Sequence, residues 1–168
     1  MLLREIFNKQ FLTTKSDEQP EYDDSTVHIK AGIIPYIRSI GGKVEFLFMV
    51  SSDPKFGGPD PMISKGGVDP SETTQQTAKR EGIEELGLKL SNMKSSLRLI
   101  SDNTTKGLDN SYRMIIYACE VKSKKDFGSY HYETAYTKWM TNDQFQQTGR
   151  KEHRKIVQKA FNIVGSLK

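Results

Sequence analysis

Residues 66–88, GGVDPSETTQQTAKREGIEELGL, decide how the rest of this chain is interpreted. Thr73 is a favourable N-cap residue, and Gln76 stands where a capping box needs its second member. Gly87 is suited to end a helix, because glycine adopts the left-handed conformation without steric strain. The stretch therefore predicts a loop followed by a helix over residues 74–86.

Three carboxylates crowd the end of this predicted helix. Glu81, Glu84 and Glu85 are spaced i, i+3 and i+4, so they share one helix face. Each lies near the negative end of the helix dipole, where a carboxylate is unfavourable by about 0.3 kcal/mol or more. Such a violation of local rules is typical of a functional site, and a hard divalent cation with oxygen ligands would compensate it. Taken alone, three such residues are more often a solvated acidic helix face.

The spacing of the whole stretch resembles the Nudix box, the loop-helix signature of the Nudix hydrolases. The fixed positions of that box are filled here by Gly66, Glu72, Arg80, Glu81, Glu84, Glu85, Gly87 and Leu88. One position departs from the pattern, because Gly82 stands where the family has an aliphatic residue. Glycine lowers helix propensity by about 1 kcal/mol relative to alanine. Gly82 offers no metal ligand, so the departure concerns packing and rigidity rather than chemistry.

The resemblance implies the fold class and the domain organisation. Nudix domains are α-β-α sandwiches with a mixed central sheet, so we expect an α+β (α/β) chain of that architecture. A length of 168 residues suits one domain, residues 1–168. Within it, residues 1–25 are interpreted as an N-terminal extension or loop, and residues 152–164 as an amphipathic helix that closes the core.

Strand-like segments flank the box on both sides. Apolar and β-branched patterns predict strands over residues 27–39, 44–50, 94–100, 112–122 and 130–140. Gly41 and Gly42 join the first two as a hairpin. Pro35 argues for an edge strand or a bulge, because proline cannot donate a ladder hydrogen bond. Residues 101–110 are rich in turn formers and are predicted to be a loop.

The family resemblance also implies a metal site and a catalytic base. Glu81, Glu84 and Glu85 are expected to bind Mg²⁺ or Mn²⁺. A backbone oxygen at the start of the box, assigned to Gly66, is expected to be a further ligand. Arg80 is expected in the catalytic set, where the family uses it to orient a box glutamate. Two residues remain candidates for the base that takes a proton from water, Glu84 and Glu133.

Other box and loop residues receive roles from the same resemblance. Lys65 is expected to contact a phosphate, and Gly67, Glu72 and Gly87 are supporting residues. The junction Ser64-Lys65-Gly66 is similar to the Pro-Lys-Gly of the diadenosine polyphosphate hydrolase branch, with serine in place of proline. It is also similar to dinucleotide-cleaving Nudix enzymes of large bacteriophages.

Aromatic residues near Glu133 are candidates for holding a nucleobase. Tyr132, Tyr136 and Trp139 have faces that suit stacking on a purine, although core or surface packing is their alternative use. His153 is interpreted as a surface residue at the start of the C-terminal helix, not as a ligand.

Composition limits the classes of partner. The formal net charge is +4, without a dense basic run, which does not favour a dedicated nucleic-acid binder, although a capped RNA end stays open. The single cysteine, Cys119, excludes an internal disulfide and fits a buried residue in a reducing compartment. No apolar run approaches the length of a membrane span. We therefore expect a cytoplasmic protein, in the host cytoplasm if the source is viral, and a homodimer stays open because many relatives form dimers.

The function implied is metal-dependent hydrolysis of a pyrophosphate bond. The expected substrate is a nucleoside diphosphate linked to another moiety, such as ADP-ribose, FAD or a diadenosine polyphosphate, and the product is a mononucleotide. A bound cation would neutralise phosphate charge and acidify an attacking water molecule. The alternatives are a (d)NTP pyrophosphohydrolase, an RNA-decapping enzyme, and a nucleotide-sensing module without catalysis. Nucleotide-sensing modules usually lack box glutamates, whereas all four box glutamates are present in this chain.

Overall fold

The computed structural model describes residues 28–56, 58–106 and 111–167. In this part of the chain there are six strands and three α-helices. The strands are β1 His28–Arg38, β2 Val44–Ser51, β3 Ser64–Gly67, β4 Arg98–Lys106, β5 Ser111–Glu120 and β6 Thr134–Met140. The helices are α1 Thr74–Leu86, α2 Asn142–Thr148 and α3 Arg154–Gly165. The predicted extension over residues 1–25 lies outside the described residues.

The strands form one mixed sheet in the order β4-β5-β1-β2-β6. Strand β1 is central: it pairs in parallel with β5 along one edge. Its other edge is shared, because β3 pairs with the first half of β1 and β2 with the last residues, both antiparallel. The mixed sheet expected from the sequence is confirmed.

Helices cover both faces of this sheet. One core cluster joins the sheet to α2 and α3 through Phe145, Val157 and Ala160. The second cluster lies on the opposite face, where Ala78 and Leu86 of α1 pack on the sheet. The described residues therefore have the three-layer α-β-α arrangement, with the box helix alone in its layer.

Pro35 lies inside the central strand, so the expected edge position or bulge is wrong. The Tyr36 carbonyl accepts a hydrogen bond from the backbone N–H of Val121, just after β5, so the polar backbone groups of Tyr36 face β5. Because successive residues of a strand face opposite edges, the nitrogen of Pro35 faces the other edge of β1. On that edge the pairing with β3 ends at Ile33, and the pairing with β2 begins at Tyr36. The missing N–H of proline falls in the gap between two neighbouring strands, where no partner is required.

Helix α1 begins and ends where its sequence predicts. The Thr73 hydroxyl accepts from the backbone N–H of Gln76, whose side chain accepts in return from the Thr73 N–H. Gly87 ends the helix with a φ of 69°. A Cβ on Gly82 would lie only 2.8 Å from a methyl group of Ile33, so glycine in place of the aliphatic residue permits a close approach of helix and sheet.

Several boundaries differ from the sequence-based expectations, and β4 begins at Arg98 rather than at residue 94. Strand β4 continues to Lys106, so the loop expected over residues 101–110 is wrong for its first part, because pairing with β5 stabilises polar residues as a strand. Strand β6 begins only at Thr134. The last helix begins at Arg154, after a 3₁₀ turn over Lys151–His153.

Two further findings concern the burial of Cys119 and the search for a membrane-spanning helix among the described residues. Cys119 is fully buried, as predicted, and burial raises the pKa of its thiol to about 12. No helix among the described residues has the length and apolar character needed to cross a membrane.

Candidate active site

Arg80 is the centre of a buried ion-pair network. Its guanidinium donates to the two carboxylate oxygens of Glu72, at 2.8 and 3.1 Å, and to the Gly67 carbonyl at 3.0 Å. Its Nη1 donates to Glu81 Oε1 at 2.7 Å and lies 3.3 Å from Glu84 Oε2. Burial alone would lower the pKa of Arg80, but the surrounding carboxylates raise it. The side chain therefore stays charged and fixes the orientation of the box glutamates.

Glu72 connects the box loop to the helix. Besides the two bonds from Arg80, its Oε2 accepts from the Thr77 hydroxyl at 2.8 Å. Burial would raise its pKa, but these hydrogen bonds outweigh that effect and hold the pKa below its usual value. Glu72 is thus an ionised partner of Arg80 in the free protein.

Glu81 lies against the glycine that opens the box. A Cβ added to Gly66 would lie 2.1 Å from Glu81 Oε1, so the carboxylate occupies space that only glycine leaves open. Glu81 is 8% exposed, and burial, together with the charges of Glu84 and Glu133, raises its pKa to about 7 despite the nearby Arg80. The carboxylate is therefore held in a buried position, where it shares the charge of Arg80 with Glu72 and Glu84.

Glu85 is the second buried carboxylate of the site. Burial and the charge of Glu81 raise its pKa to about 7, although the backbone N–H of Lys65 donates to Oε2 at 2.9 Å. The Lys65 ammonium lies in the same region, and its own pKa falls to about 8 through burial and the repulsion of Arg150, opposed by Glu85. At neutral pH the site therefore combines a lysine that is mostly charged with carboxyl groups that readily take up protons.

The segment before β6 brings Glu133 to the same cluster. Thr134 donates from its hydroxyl to the Glu85 carbonyl at 2.8 Å, and Ser52 donates from its backbone N–H to the Glu133 carbonyl at 2.9 Å. The Glu133 side chain is exposed, and its charge contributes to the raised pKa of Glu81. The structure thus places Glu133 beside the buried pair.

A cavity of about 800 Å³ opens next to these groups. Glu85, Glu133 and Lys65 line one part of it. Phe56 and Tyr132, which are 72% and 77% exposed, contribute aromatic surface to the same cavity. The cavity is large enough for a nucleotide-sized ligand and offers both charged and aromatic surface.

His153 is buried, so the expectation of a surface residue is wrong. It is 2% exposed, and its Nδ1 accepts a hydrogen bond from the Ile63 N–H at 3.1 Å. Burial, followed by the charges of Lys65 and Arg150, lowers its pKa to about 3. The side chain also lines the cavity. Its position could have been inferred, since residue 153 extends the buried helical row of Val157 and Ala160.

The buried imidazole predicts how stability depends on pH. Above the unfolded pKa of 6.5, His153 is neutral in the folded and the unfolded chain. Below this pH His153 is protonated in the unfolded chain, whereas in the folded chain it stays neutral down to about pH 3. The free energy of unfolding therefore decreases by about 1.4 kcal/mol for each pH unit that the pH falls. The raised carboxyls Glu81 and Glu85 act in the opposite direction between pH 4.5 and about 7.

The comparison of wild type with His153→Asn isolates this effect, because the carboxyl contributions cancel in the difference. From about pH 6.5 to about pH 5, wild type should lose about 2 kcal/mol more than the variant in urea unfolding. Parallel pH profiles for the two proteins would contradict a neutral buried His153.

The residues present fit a hard divalent cation. Glu81, Glu84, Glu85 and Glu133 supply the oxygen donors such ions prefer, and two of them are buried with poorly compensated charge. Within the described residues, no three carboxylates or imidazoles already converge at metal-binding distance. Arg80 holds oxygens of both Glu81 and Glu84, so ion binding requires a small rearrangement of these side chains.

The structure gathers some of the predicted residues and separates others. Three glutamates and the Gly67 carbonyl bind Arg80, and Gly66 lies against Glu81. Lys65, Glu85 and Glu133 line the neighbouring cavity. Of the predicted stacking residues, Tyr132 lines the cavity, but Tyr136 and Trp139 are not among its described lining residues. Trp139 instead packs edge-on against Phe127, with ring centroids 5.9 Å apart. The sequence analysis missed Phe56, Arg150 and His153, which the fold brings in from distant segments.

Comparisons with known proteins agree with this geometry. The model of the NUDIX domain matches residues 28–160. A C. elegans Ap4A hydrolase in a binary complex superposes with a TM-score of 0.68 at 20% identity, covering 84% of this chain and 100% of that chain. The Nudix hydrolase RenU from M. smegmatis gives 0.67 at 15% identity, covering 83% and 88%. The NUDIX domain of Shewanella oneidensis NrtR, complexed with ADP ribose, gives 0.64 at 12% identity, covering 98% and 99%.

No protein with curated annotation matches this chain. At such low identities the structural matches establish the fold alone. The family match covers well over half of the chain, however, and it includes the loop, the helix and the strands that assemble the site. This chain therefore belongs to the NUDIX domain family.

Proposed function

We propose that this protein hydrolyses a pyrophosphate bond in a nucleoside diphosphate linked to a second moiety, in a reaction that depends on Mg²⁺ or Mn²⁺ and releases a mononucleotide. The observation that carries the proposal is the pair of buried carboxylates, Glu81 and Glu85, of which Glu85 lines a cavity of about 800 Å³ together with Lys65. The Ap4A hydrolase and the domain complexed with ADP ribose, both similar in fold, support a nucleotide substrate.

Each group has a role in this proposal that follows from its surroundings. A divalent cation bound by the box glutamates would neutralise phosphate charge and acidify a water molecule. Lys65 binds the phosphates next to Glu85, because its backbone N–H is fixed there and the residue lines the cavity. Glu133 takes the proton from water, since Glu84 is engaged by Arg80 whereas Glu133 is exposed at the cavity.

The test is a panel of pyrophosphate compounds with product identification. ADP-ribose, FAD and diadenosine polyphosphates, incubated with Mg²⁺ or Mn²⁺, should yield AMP or another mononucleotide. Glu133→Gln should lower kcat about a hundredfold or more if this residue is the base, with an altered pH profile. An enzyme that turns over none of these compounds with either metal would overturn the proposed function.

Metal affinity should increase as the pH rises through neutrality. Glu81 and Glu85 have pKa values near 7, so each is largely protonated at about pH 6, and a cation must displace those protons. We expect the affinity for Mn²⁺ to increase at least tenfold from about pH 6 to about pH 8. Calorimetric titrations in two buffers of different ionisation enthalpy should reveal proton release, and an affinity independent of pH would contradict the raised pKa values.

A further inference from the structure

The cavity has a second polar wall, which the proposed hydrolysis does not use. It includes Arg150 and His153, which line the same cavity as Lys65 and Glu85. All three side chains line this cavity, and the charges of Lys65 and Arg150 help to lower the pKa of His153. Arg150 supplies the positive charge of this wall, His153 is neutral, and Glu152 lines the cavity beside Arg150.

His153 presents a fixed hydrogen-bond donor to this cavity. Its Nδ1 accepts the Ile63 N–H at 3.1 Å, and the ring is neutral, so the proton is carried on Nε2. Among the described residues, Nε2 has no hydrogen-bond partner, although the residue is 2% exposed. Nε2 is not one of the described buried polar atoms that lack a partner, so it is accessible from the cavity, where a ligand acceptor can bond to it.

Arg150 is anchored in a way that leaves its guanidinium available. Its backbone N–H donates to the Pro61 carbonyl at 2.9 Å, and its own carbonyl accepts from the His153 N–H at 3.0 Å. The guanidinium contacts Glu152, 3.3 Å away, whose side chain is 67% exposed. Such an exposed pair contributes little, so an anion in the cavity competes effectively for Arg150.

We infer that Arg150 and His153 form a subsite for a third phosphate group, so that the preferred substrate carries a chain of three or more phosphates. A two-phosphate linkage is satisfied by the box glutamates with their cation and by Lys65, and it leaves the second wall without a partner. A longer chain extends past Lys65 and accepts hydrogen bonds from the Arg150 guanidinium and from His153 Nε2. This inference rests on the proposed function, because the cleaved bond lies at the box.

Turnover of substrates with different phosphate counts tests the inference. We expect wild type to cleave diadenosine tetraphosphate with a kcat/KM at least about tenfold higher than that for ADP-ribose. Arg150→Gln and His153→Asn should reduce this preference, by about tenfold and several-fold respectively. Lys155→Gln is the control. It removes one positive charge from an exposed residue that does not line the cavity, so it should leave the preference unchanged.

A binding experiment separates this inference from the proposed function. Inorganic tripolyphosphate should bind the metal-free protein more tightly than pyrophosphate in calorimetry, and Arg150→Gln should abolish the difference. If no substrate is cleaved but tripolyphosphate binds with this selectivity, the hydrolase proposal fails and the subsite stands. If wild type cleaves ADP-ribose as well as the tetraphosphate, or if both variants keep the preference while remaining folded in thermal melts, the subsite is overturned.

Discussion

Glu85→Gln should lower kcat about a thousandfold while making the metal-free protein more stable. Glutamine keeps an oxygen that accepts the Lys65 N–H, now 2.9 Å from Glu85 Oε2, so the local structure is preserved. It removes the negative charge that would bind the cation, and the loss of several kcal/mol of transition-state stabilisation corresponds to about three powers of ten in rate. Steady-state kinetics with saturating Mg²⁺ or Mn²⁺ measures this loss.

The gain in stability follows from the raised pKa of the same group. Its carboxyl has a pKa of about 7 in the folded protein, compared with 4.5 in the unfolded chain. Stability therefore falls as the pH rises from 4.5 to about 7, and above that range the ionised carboxylate opposes folding. At about pH 8 the substitution should therefore raise the free energy of unfolding by about 2 kcal/mol in the presence of a chelator. The advantage should vanish below about pH 4.5, where the carboxyl is protonated in both states.

Glu45→Gln is the matched control. Glu45 lies on β2, and its pKa is lowered by a hydrogen bond from Lys124 and by the charge of Lys43, the opposite of the shift at Glu85. Its replacement should leave kcat unchanged and reduce stability by no more than about 1 kcal/mol, as expected for a surface ion pair. If Glu85→Gln resembled this control in both measurements, the buried glutamate would have no role in catalysis.

Local signals in the sequence were sufficient to predict the box helix. The capping box at Thr73 and the glycine at position 87 are interactions between near neighbours, so the chain specifies both helix ends without tertiary contacts. The regular spacing of the carboxylates likewise follows from helix geometry and places them on one face. For this reason the acidic part of the site was predictable from a single stretch.

The second wall of the cavity and the course of the central strand depend on tertiary structure. Pro35 is tolerated because β3 ends and β2 begins beside it, a coincidence of pairing between segments that are remote in sequence. His153 approaches Ile63 across 90 positions of the chain. Strand β4 has a polar sequence that becomes a regular strand by pairing with β5. Such contacts are set by packing, which outweighs local preference.

Gly66→Ala should lower kcat/KM about a hundredfold or more without unfolding the protein. The new methyl group would lie 2.1 Å from Glu81 Oε1, so the carboxylate must leave its position and its 2.7 Å bond with Arg80. A displacement of about 1 Å in a catalytic constellation is sufficient for a loss of this size. Gly66 does not have a positive φ, so alanine is compatible with the backbone, and we expect overpacking to reduce stability by about 1–3 kcal/mol.

The neighbouring glycine provides the control, and a double variant tests the mechanism. A Cβ on Gly67 would meet nothing within 4 Å, so Gly67→Ala should retain activity within about twofold and full stability. Adding Glu81→Asp to Gly66→Ala shortens the displaced side chain, which should restore much of the stability but not kcat/KM, because the carboxylate no longer reaches its position. Equal activity in the two alanine variants would show that the close contact between Gly66 and Glu81 is not needed for the reaction.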